Sequence, residues 1–298
     1  MLTVAVLGTG LMGTGIAGVV AGHGHRVRLY DADPDASARA AAGWPGQATA
    51  HRDLPAAVAD VDVVLEAVAE QLPVKQELFA RVDAINPDAL LATNTSVLPV
   101  SQVAARVRRP GRVVGTHWWN PPGLIPVVEV VRGQHTADET MDRAEDLLRS
   151  LGKMPVRVER DVPGFVGNRL QHALWREAIA LVADGVCDAR TVDLVVRNTI
   201  GLRLAAMGPL ENADYVGLDL TLAIHEAVLP SLNADPGPSP LLRDLVAAGR
   251  LGARTGGGFH SWPPGARESA AQRLAAHVAW QLANPSQEER QGHHDQPG

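Results

Sequence analysis

Short apolar runs that end in glycine or polar turns alternate with helical spacing through the first half of the chain. Residues 2–7 (Leu-Thr-Val-Ala-Val-Leu), 26–30, 61–65, 90–92, 112–115 and 154–158 read as strands buried on both faces, as in a parallel sheet. Between the first two, Ile16, Ala17, Val19 and Val20 recur at helical spacing, and residues 74–82 predict another helix. The alternation predicts an α/β fold, a Rossmann-type doubly wound parallel sheet. Near Pro163-Gly164 the period becomes wholly helical. Leu170, Leu174, Ala178, Leu181 and Val182 share a face over 165–183. Residues 191–199, 215–228 and 241–248 also read as helices, with a Pro/Gly loop at 235–240. The expected division is a sheet domain at 1–161, an all-helical domain at 162–262 and a terminal helix within 263–298. From about Ser286 that last segment is polar and is expected to be disordered.

A length of 298 residues suits about two domains, and 46% hydrophobic with 20% charged residues suits a globular core. A net charge of −6 and only short basic clusters, such as Arg106-Val107-Arg108-Arg109, argue against nucleic acid as a partner. Cys187 is the single cysteine, so neither a disulfide framework nor a cysteine-based metal site is expected. His23, His25, His225, His293 and His294 lack ligand spacing, and no metal is predicted. With no signal-peptide pattern and no long apolar span, the protein reads as soluble and cytoplasmic, without a membrane partner.

The first strand runs straight into Gly8-Thr9-Gly10-Leu11-Met12-Gly13, followed by the helical pattern. In that setting Gly8 permits the tight turn, Gly10 lets a pyrophosphate approach the backbone, and Gly13 lets helix and strand pack closely. The amides of Leu11 and Met12 then open a helix N-terminus that favours an anion. Asp31 follows 18 residues after Gly13, at the end of the second strand. A carboxylate there accepts from ribose hydroxyls and repels the extra phosphate of NADP, while Ala32 and Asp33 supply no cation to receive it. The predicted cofactor is NAD.

Polar residues gather where strands end. Glu66 and Glu70 follow one strand, with Lys75 on the next helix; Asn94-Thr95-Ser96 follows another; His117 follows a third. Open α/β sheets place ligands at these ends. Ser96 suits a helix cap or turn and equally a substrate or cofactor contact. His117 ends one apolar run and Glu129 lies inside the next. A His–carboxylate pair makes a general base near neutral pH, because the carboxylate fixes the tautomer and stabilises the imidazolium. Asn168 sits one turn into the first helix of the second half, where an Asn commonly bonds backbone groups.

Taken in order, the glycine loop, Asp31, Glu70 with Lys75, Asn94-Thr95-Ser96, His117-x-x-Asn120-Pro121, Glu129 and Pro163-Gly164-Phe165-Val166-x-Asn168-Arg169 resemble the NAD-dependent L-3-hydroxyacyl-CoA dehydrogenases. The resemblance runs from residue 1 to about Trp262 and ends in Gly252-Ala253-Arg254-Thr255-Gly256-Gly257-Gly258-Phe259. It implies that His117 takes the hydroxyl proton as hydride leaves C3 of a 3-hydroxyacyl group, with Glu129 orienting it. It implies substrate contacts from Ser96 and Asn168, and Asn120 beside nicotinamide and substrate. Glu70, Lys75 and Arg254 would serve the cofactor side. More apolar surface in the helical half than one small core needs suggests a homodimer.

Three departures qualify the resemblance. Acyl-CoA members insert a helical hairpin that helps bind CoA between the strand-end Asp and the third strand. Here residues 32–60 leave room for one short helix and about one further turn. Trp118-Trp119 stands where phenylalanines are more common, and Arg254 stands in place of a lysine, with Val97 replacing a second serine. The chain is similar also to pyridine-carboxylate dehydrogenases and to lambda-crystallin-type gulonate dehydrogenases. A small carboxylated alcohol, or a carrier-bound hydroxyacyl group, is therefore an alternative substrate. A 3-hydroxyisobutyrate or 6-phosphogluconate type would need a helix-borne lysine, and no lysine follows Lys153. A non-catalytic NAD-binding protein would not need His117, Glu129, Ser96 and Asn168 together.

Overall fold

A computed structural model describes residues 1–284. The chain divides into two compact units, Met1–Arg169 and Leu170–Gly298. In the first, the strands are β1 (Thr3–Leu7), β2 (Arg26–Tyr30), β3 (Ala48–His51), β4 (Val63–Glu66), β5 (Leu90–Thr93), β6 (Val113–Trp118), β7 (Val127–Val131) and β8 (Met154–Val158). The helices are α1 (Leu11–Gly22), α2 (Pro34–Ala41), α3 (Leu54–Val58), α4 (Leu72–Ile85), α5 (Val100–Val103) and α6 (Asp138–Ser150). The strands form one sheet in the order β3-β2-β1-β4-β5-β6-β7-β8. Every neighbouring pair is parallel except β6 with β7. The order reverses at β1, so the crevice between the ends of β1 and β4 is the place where a doubly wound sheet receives a ligand.

Alternation along the strands builds two cores. Val4, Val6 and Leu29 pack with Ile16 and Val20 of α1 and with Met141 and Leu148 of α6. Ala5, Leu7 and Leu91 point the other way and pack with Leu54, Phe79, Val82 and Val100. Each face thus gains its own apolar layer, the main source of stability in such a fold. Asp33 and Asp53 cap α2 and α3 by accepting from the amides of Asp35 and Ala56.

Several elements differ from the sequence expectation: the helices α5, α6 and, at Ile200–Leu204, α9 are not among the spans expected, and two further differences have a clear physical reason. The strand β3 lies in a segment read as turn and helix. It has the sequence Ala-Thr-Ala-His and sits at the sheet edge largely exposed, so no apolar run marks it. The helix expected over 215–228 is two, α10 and α11 below, broken at Gly217, whose φ of 105° cannot continue a helix.

The second unit holds α7 (Gly167–Ala183, beginning at the end of the first unit), α8 (Ala189–Asn198), α9 (Ile200–Leu204), α10 (Pro209–Val216), α11 (Leu218–Val228), α12 (Pro240–Ala247) and α13 (Ala266–Ala283). Among the described residues, these helices bury one side chain, Leu245 of α12. Trp175, Tyr215, Leu222 and Trp280 are at least half exposed. No described helix is long and apolar enough to cross a membrane. The polar tail from Ser286 lies outside the described residues.

Candidate active site

The glycine loop has the shape of a phosphate cradle. Gly8 is in the left-handed region at φ 91°, and a Cβ there would stand 2.6 Å from the carbonyl oxygen of Ala67. A Cβ on Gly13 would stand 1.8 Å from the Gly8 oxygen, so helix and turn can touch only without one. Around Gly10 a Cβ would meet nothing within 4 Å, which leaves open space in front of the first α1 amides, and no side chain caps them. These features fit the pyrophosphate of a dinucleotide.

Asp31 ends β2 beside this loop. Its Oδ2 accepts from the amide and hydroxyl of Thr9 at 2.5 and 3.0 Å, and its Oδ1 from the Asp33 amide at 3.0 Å. Burial alone would raise its pKa, but the Thr9 and Asp33 hydrogen bonds outweigh burial and hold it below the ordinary value. A cleft of about 240 Å³ lies next to it, lined by Thr9, Thr14, Ala36, Arg39 and Ala40. Arg39 is a cation that reading only Ala32 and Asp33 overlooked; it pairs with Asp33 at 3.3 Å.

At the end of β4 one residue departs from the expectation. Lys75, expected to line the cofactor, is fully buried, with its ammonium 2.6 Å from Glu66 Oε1 and 3.2 Å from Glu70 Oε2. An ammonium enclosed in this way acts through the carboxylates it holds. Glu66 also accepts from the Thr93 hydroxyl and the Val68 amide, both at 2.7 Å. Glu70 is the member that reaches solvent. Its Oε1 collects the Thr95 hydroxyl at 2.5 Å and the amides of Ser96 and Val97 at 2.9 and 3.1 Å. Burial would raise the Glu70 pKa; Thr95, Lys75 and the two amides bring it below the ordinary range. The Thr95–Val97 turn is therefore fastened to a buried ion pair. Asn168 joins it by donating from Nδ2 to the Ser96 carbonyl at 3.1 Å.

His117 and Glu129 stand directly opposite each other in the antiparallel β6/β7 pair, which brings the two side chains together across strands. The distance from Nδ1 to Glu129 Oε2 is 2.7 Å, and the residues are 3% and 4% exposed. An ionised carboxylate only accepts, so the proton belongs on Nδ1 and Nε2 presents its lone pair. The other oxygen, Oε1, accepts from the amides of Val166 and Gly167 at 2.9 and 3.1 Å. Those amides converge because Gly164 and Phe165 both adopt left-handed backbone, at φ 79° and 51°. For a buried phenylalanine this conformation is strained, and the two charge-assisted hydrogen bonds offset it. Burial would raise the Glu129 pKa, yet His117, Gly167 and Val166 together hold it below the ordinary glutamate range.

Asn120 is exposed on the loop after β6. Lys153 braces that loop by donating to the carbonyls of Pro122 and Ile125, and its ammonium lies 5.7 Å from the Trp118 ring centre. Burial lowers the Lys153 pKa. Arg254 is exposed in the second unit, on a turn closed by bridges from Gly257 to Gly252 and Ser261. Among the described residues no group of three or more His, Cys, Asp or Glu side chains is placed to hold a metal ion.

A glycine cradle at β1, a strand-end carboxylate and a buried His–carboxylate pair fit the class that the relatives define: an NAD-dependent dehydrogenase acting on hydroxyl groups. Profiles for the NAD-binding and C-terminal domains of 3-hydroxyacyl-CoA dehydrogenase match residues 3–51 with 44–162, and 164–262. The chain belongs to that family. It is 36% identical over 284 residues to the 5-formyl-3-hydroxy-2-methylpyridine 4-carboxylate 5-dehydrogenase of Mesorhizobium japonicum, covering 88% of this chain and 91% of that protein. It is 37% identical over 281 residues to a probable 3-hydroxybutyryl-CoA dehydrogenase of Bacillus subtilis, covering 87% and 96%. A solved 5-formyl-3-hydroxy-2-methylpyridine 4-carboxylic acid 5-dehydrogenase, described as an NAD+-dependent dismutase, superposes with a TM-score of 0.87 at 32% identity, covering 93% and 96%. The N-terminal profile matches in two pieces that meet at 44–51, inside the interval where the family's CoA-binding hairpin is expected to be missing.

Proposed function

We propose that the chain uses NAD to oxidise a compact carboxylated alcohol that carries no CoA. The observation behind the chemistry is the His117–Glu129 pair, with Nδ1 committed to the carboxylate and Nε2 left to act. Alcohol oxidation releases a hydride and a proton. NAD, when bound, supplies the hydride acceptor. Nε2 of His117 takes the hydroxyl proton as the C–H bond breaks and the C=O bond forms. Glu129, kept ionised by its two amide donors, stabilises the imidazolium. Ser96 and Asn168 hold the substrate oxygen, and Asn120 faces the nicotinamide side. Gly8, Gly10 and Gly13 with the amides of Leu11 and Met12 hold the pyrophosphate, and Asp31 holds the ribose. Glu70 edges the cofactor and Lys75 serves it only through Glu70; Arg254 is assigned to the cofactor by the family resemblance alone.

The absence of CoA from the substrate is supported by residues 32–60, which are taken up by α2, β3 and α3, and by the likeness to the pyridine-carboxylate enzyme, whose named substrate is a free carboxylate. A hydroxyacyl thioester is the second reading, favoured by the likeness to the Bacillus subtilis protein. NADH consumption with acetoacetyl-CoA, acetoacetyl-pantetheine and free small keto acids separates them. Turnover of free keto acids, with CoA and pantetheine thioesters equal, is expected; a strong preference for the full CoA thioester overturns the proposal.

We further propose a homodimer in which the helical unit completes its core against a second copy. Helices whose apolar residues stay this exposed are normally covered by a partner. Sedimentation equilibrium at micromolar concentration is expected to give twice the mass of the chain, and a monomer refutes the dimer.

A further inference from the structure

One residue beside the base has no role in the dyad. The Trp119 ring lies 4.9 Å from the His117 ring, tilted by 58°, while Phe165 lies at 5.6 Å. Phe165 is sealed at 1% exposure, whereas Trp119 keeps part of its surface open. The indole is also held in place from beneath, as Trp44, packed against the core, is by Gly18. A Cβ on Gly167 would stand 2.3 Å from Trp119 Cζ2 and 2.9 Å from Cη2, so the ring edge rests on a bare Cα. The amide of that same Gly167 donates to Glu129, which holds His117. Imidazole, carboxylate, glycine and indole therefore form a closed circuit of contacts.

We propose that Trp119 is a specificity-determining wall of the substrate site, selecting a flat, ring-bearing alcohol over a flexible acyl chain. A rigid π-face next to the proton acceptor gains most from a substrate whose hydroxyl carbon is attached to an aromatic ring, since ring pairs stack in offset or tilted geometry. A saturated chain gains only apolar contact there. The inference rests on the dehydrogenase reading above and narrows its substrate class. In both substrate types the C–H electron pair leaves as hydride for NAD+, the hydroxyl proton passes to His117, and a carbonyl forms.

The test compares hydroxymethylnicotinate and hydroxybutyryl-pantetheine as substrates for NAD+ reduction by the full chain. The measured quantity is the ratio of kcat/KM for the first to kcat/KM for the second. In Trp119→Leu, which keeps apolar bulk without a flat face, the ratio is expected to fall about tenfold. The loss should fall mainly on the KM for hydroxymethylnicotinate. In Trp119→Phe, which restores a ring, the ratio should stay within about threefold of wild type. An unchanged ratio in Trp119→Leu overturns the inference. So does a wild type that turns over the thioester but not hydroxymethylnicotinate, and that result leaves NAD-dependent alcohol oxidation standing. Turnover of neither compound by a wild type that binds NAD overturns both.

Discussion

The two units handle the hydrophobic effect in opposite ways. The sheet unit hides its apolar residues within itself: strand alternation sends them to both faces, and helices cover each face. The helical unit leaves Leu218, Leu220, Leu222 and Ile224 of α11 between 47% and 62% exposed. Periodicity is present in both, so periodicity alone does not say whether the covering surface belongs to the same chain. A strand flanked by crossover helices brings its own cover. A helix in a small unit depends on what its neighbours leave open.

The sharpest consequence concerns the chemistry housed in the self-contained unit. His117→Ala should lower kcat by ~10²–10⁴-fold while NAD affinity, measured by fluorescence titration, stays unchanged. Normal turnover would remove His117 as the base. Next, Lys75→Met strands the Glu66 carboxylate in the core, and should cost the sheet unit about 3–5 kcal/mol in denaturant unfolding. A loss below about 1 kcal/mol would mean that the ion pair is not closed in solution.

The contrast between units can be broken directly with two leucines. Leu29→Ala, in the sheet core, should cost about 2–5 kcal/mol at any protein concentration. Leu222→Glu, on an exposed helix face, should instead abolish the concentration dependence of Tm and yield monomer. If Leu222→Glu leaves a dimeric mass and the Tm untouched, this face of α11 is not the contact between copies. The smallest effect is in pH. The folded Glu129 pKa is depressed, so its contribution is complete above the unfolded value of about 4.3 and fades as pH falls through the lower folded value. Glu129→Gln should therefore flatten the acid limb of the stability–pH curve below about pH 4.5, and an unaltered limb would count against the ionised pair.

Much of this was legible because the decisive patterns are local. The glycine loop, the Asp31 strand end and the apolar run before His117 each announce themselves within a dozen residues. What stayed hidden depends on distant contacts. The β3 strand has no apolar period because an edge strand of Ala-Thr-Ala-His buries little. Lys75 could not be seen as buried until Glu66 and Glu70 closed on it from another element. The amides that steady Glu129 come from 37 and 38 residues away, through a left-handed pair whose phenylalanine gives no sign of it in sequence. The pairing of Gly167 with Trp119 is invisible for the same reason: a missing Cβ matters only where something has moved into its place.

The ends of the sheet carry a consequence for how copies of the chain can meet. On one side β3 offers only four residues. On the other, β8 contains Pro155, which has no amide to donate, and Arg157, which is tied to Asp142 and Glu145 on α6. Short length, a missing donor and tethered charge each discourage a further strand from docking. Growth of the sheet by strand addition is thus disfavoured at both edges.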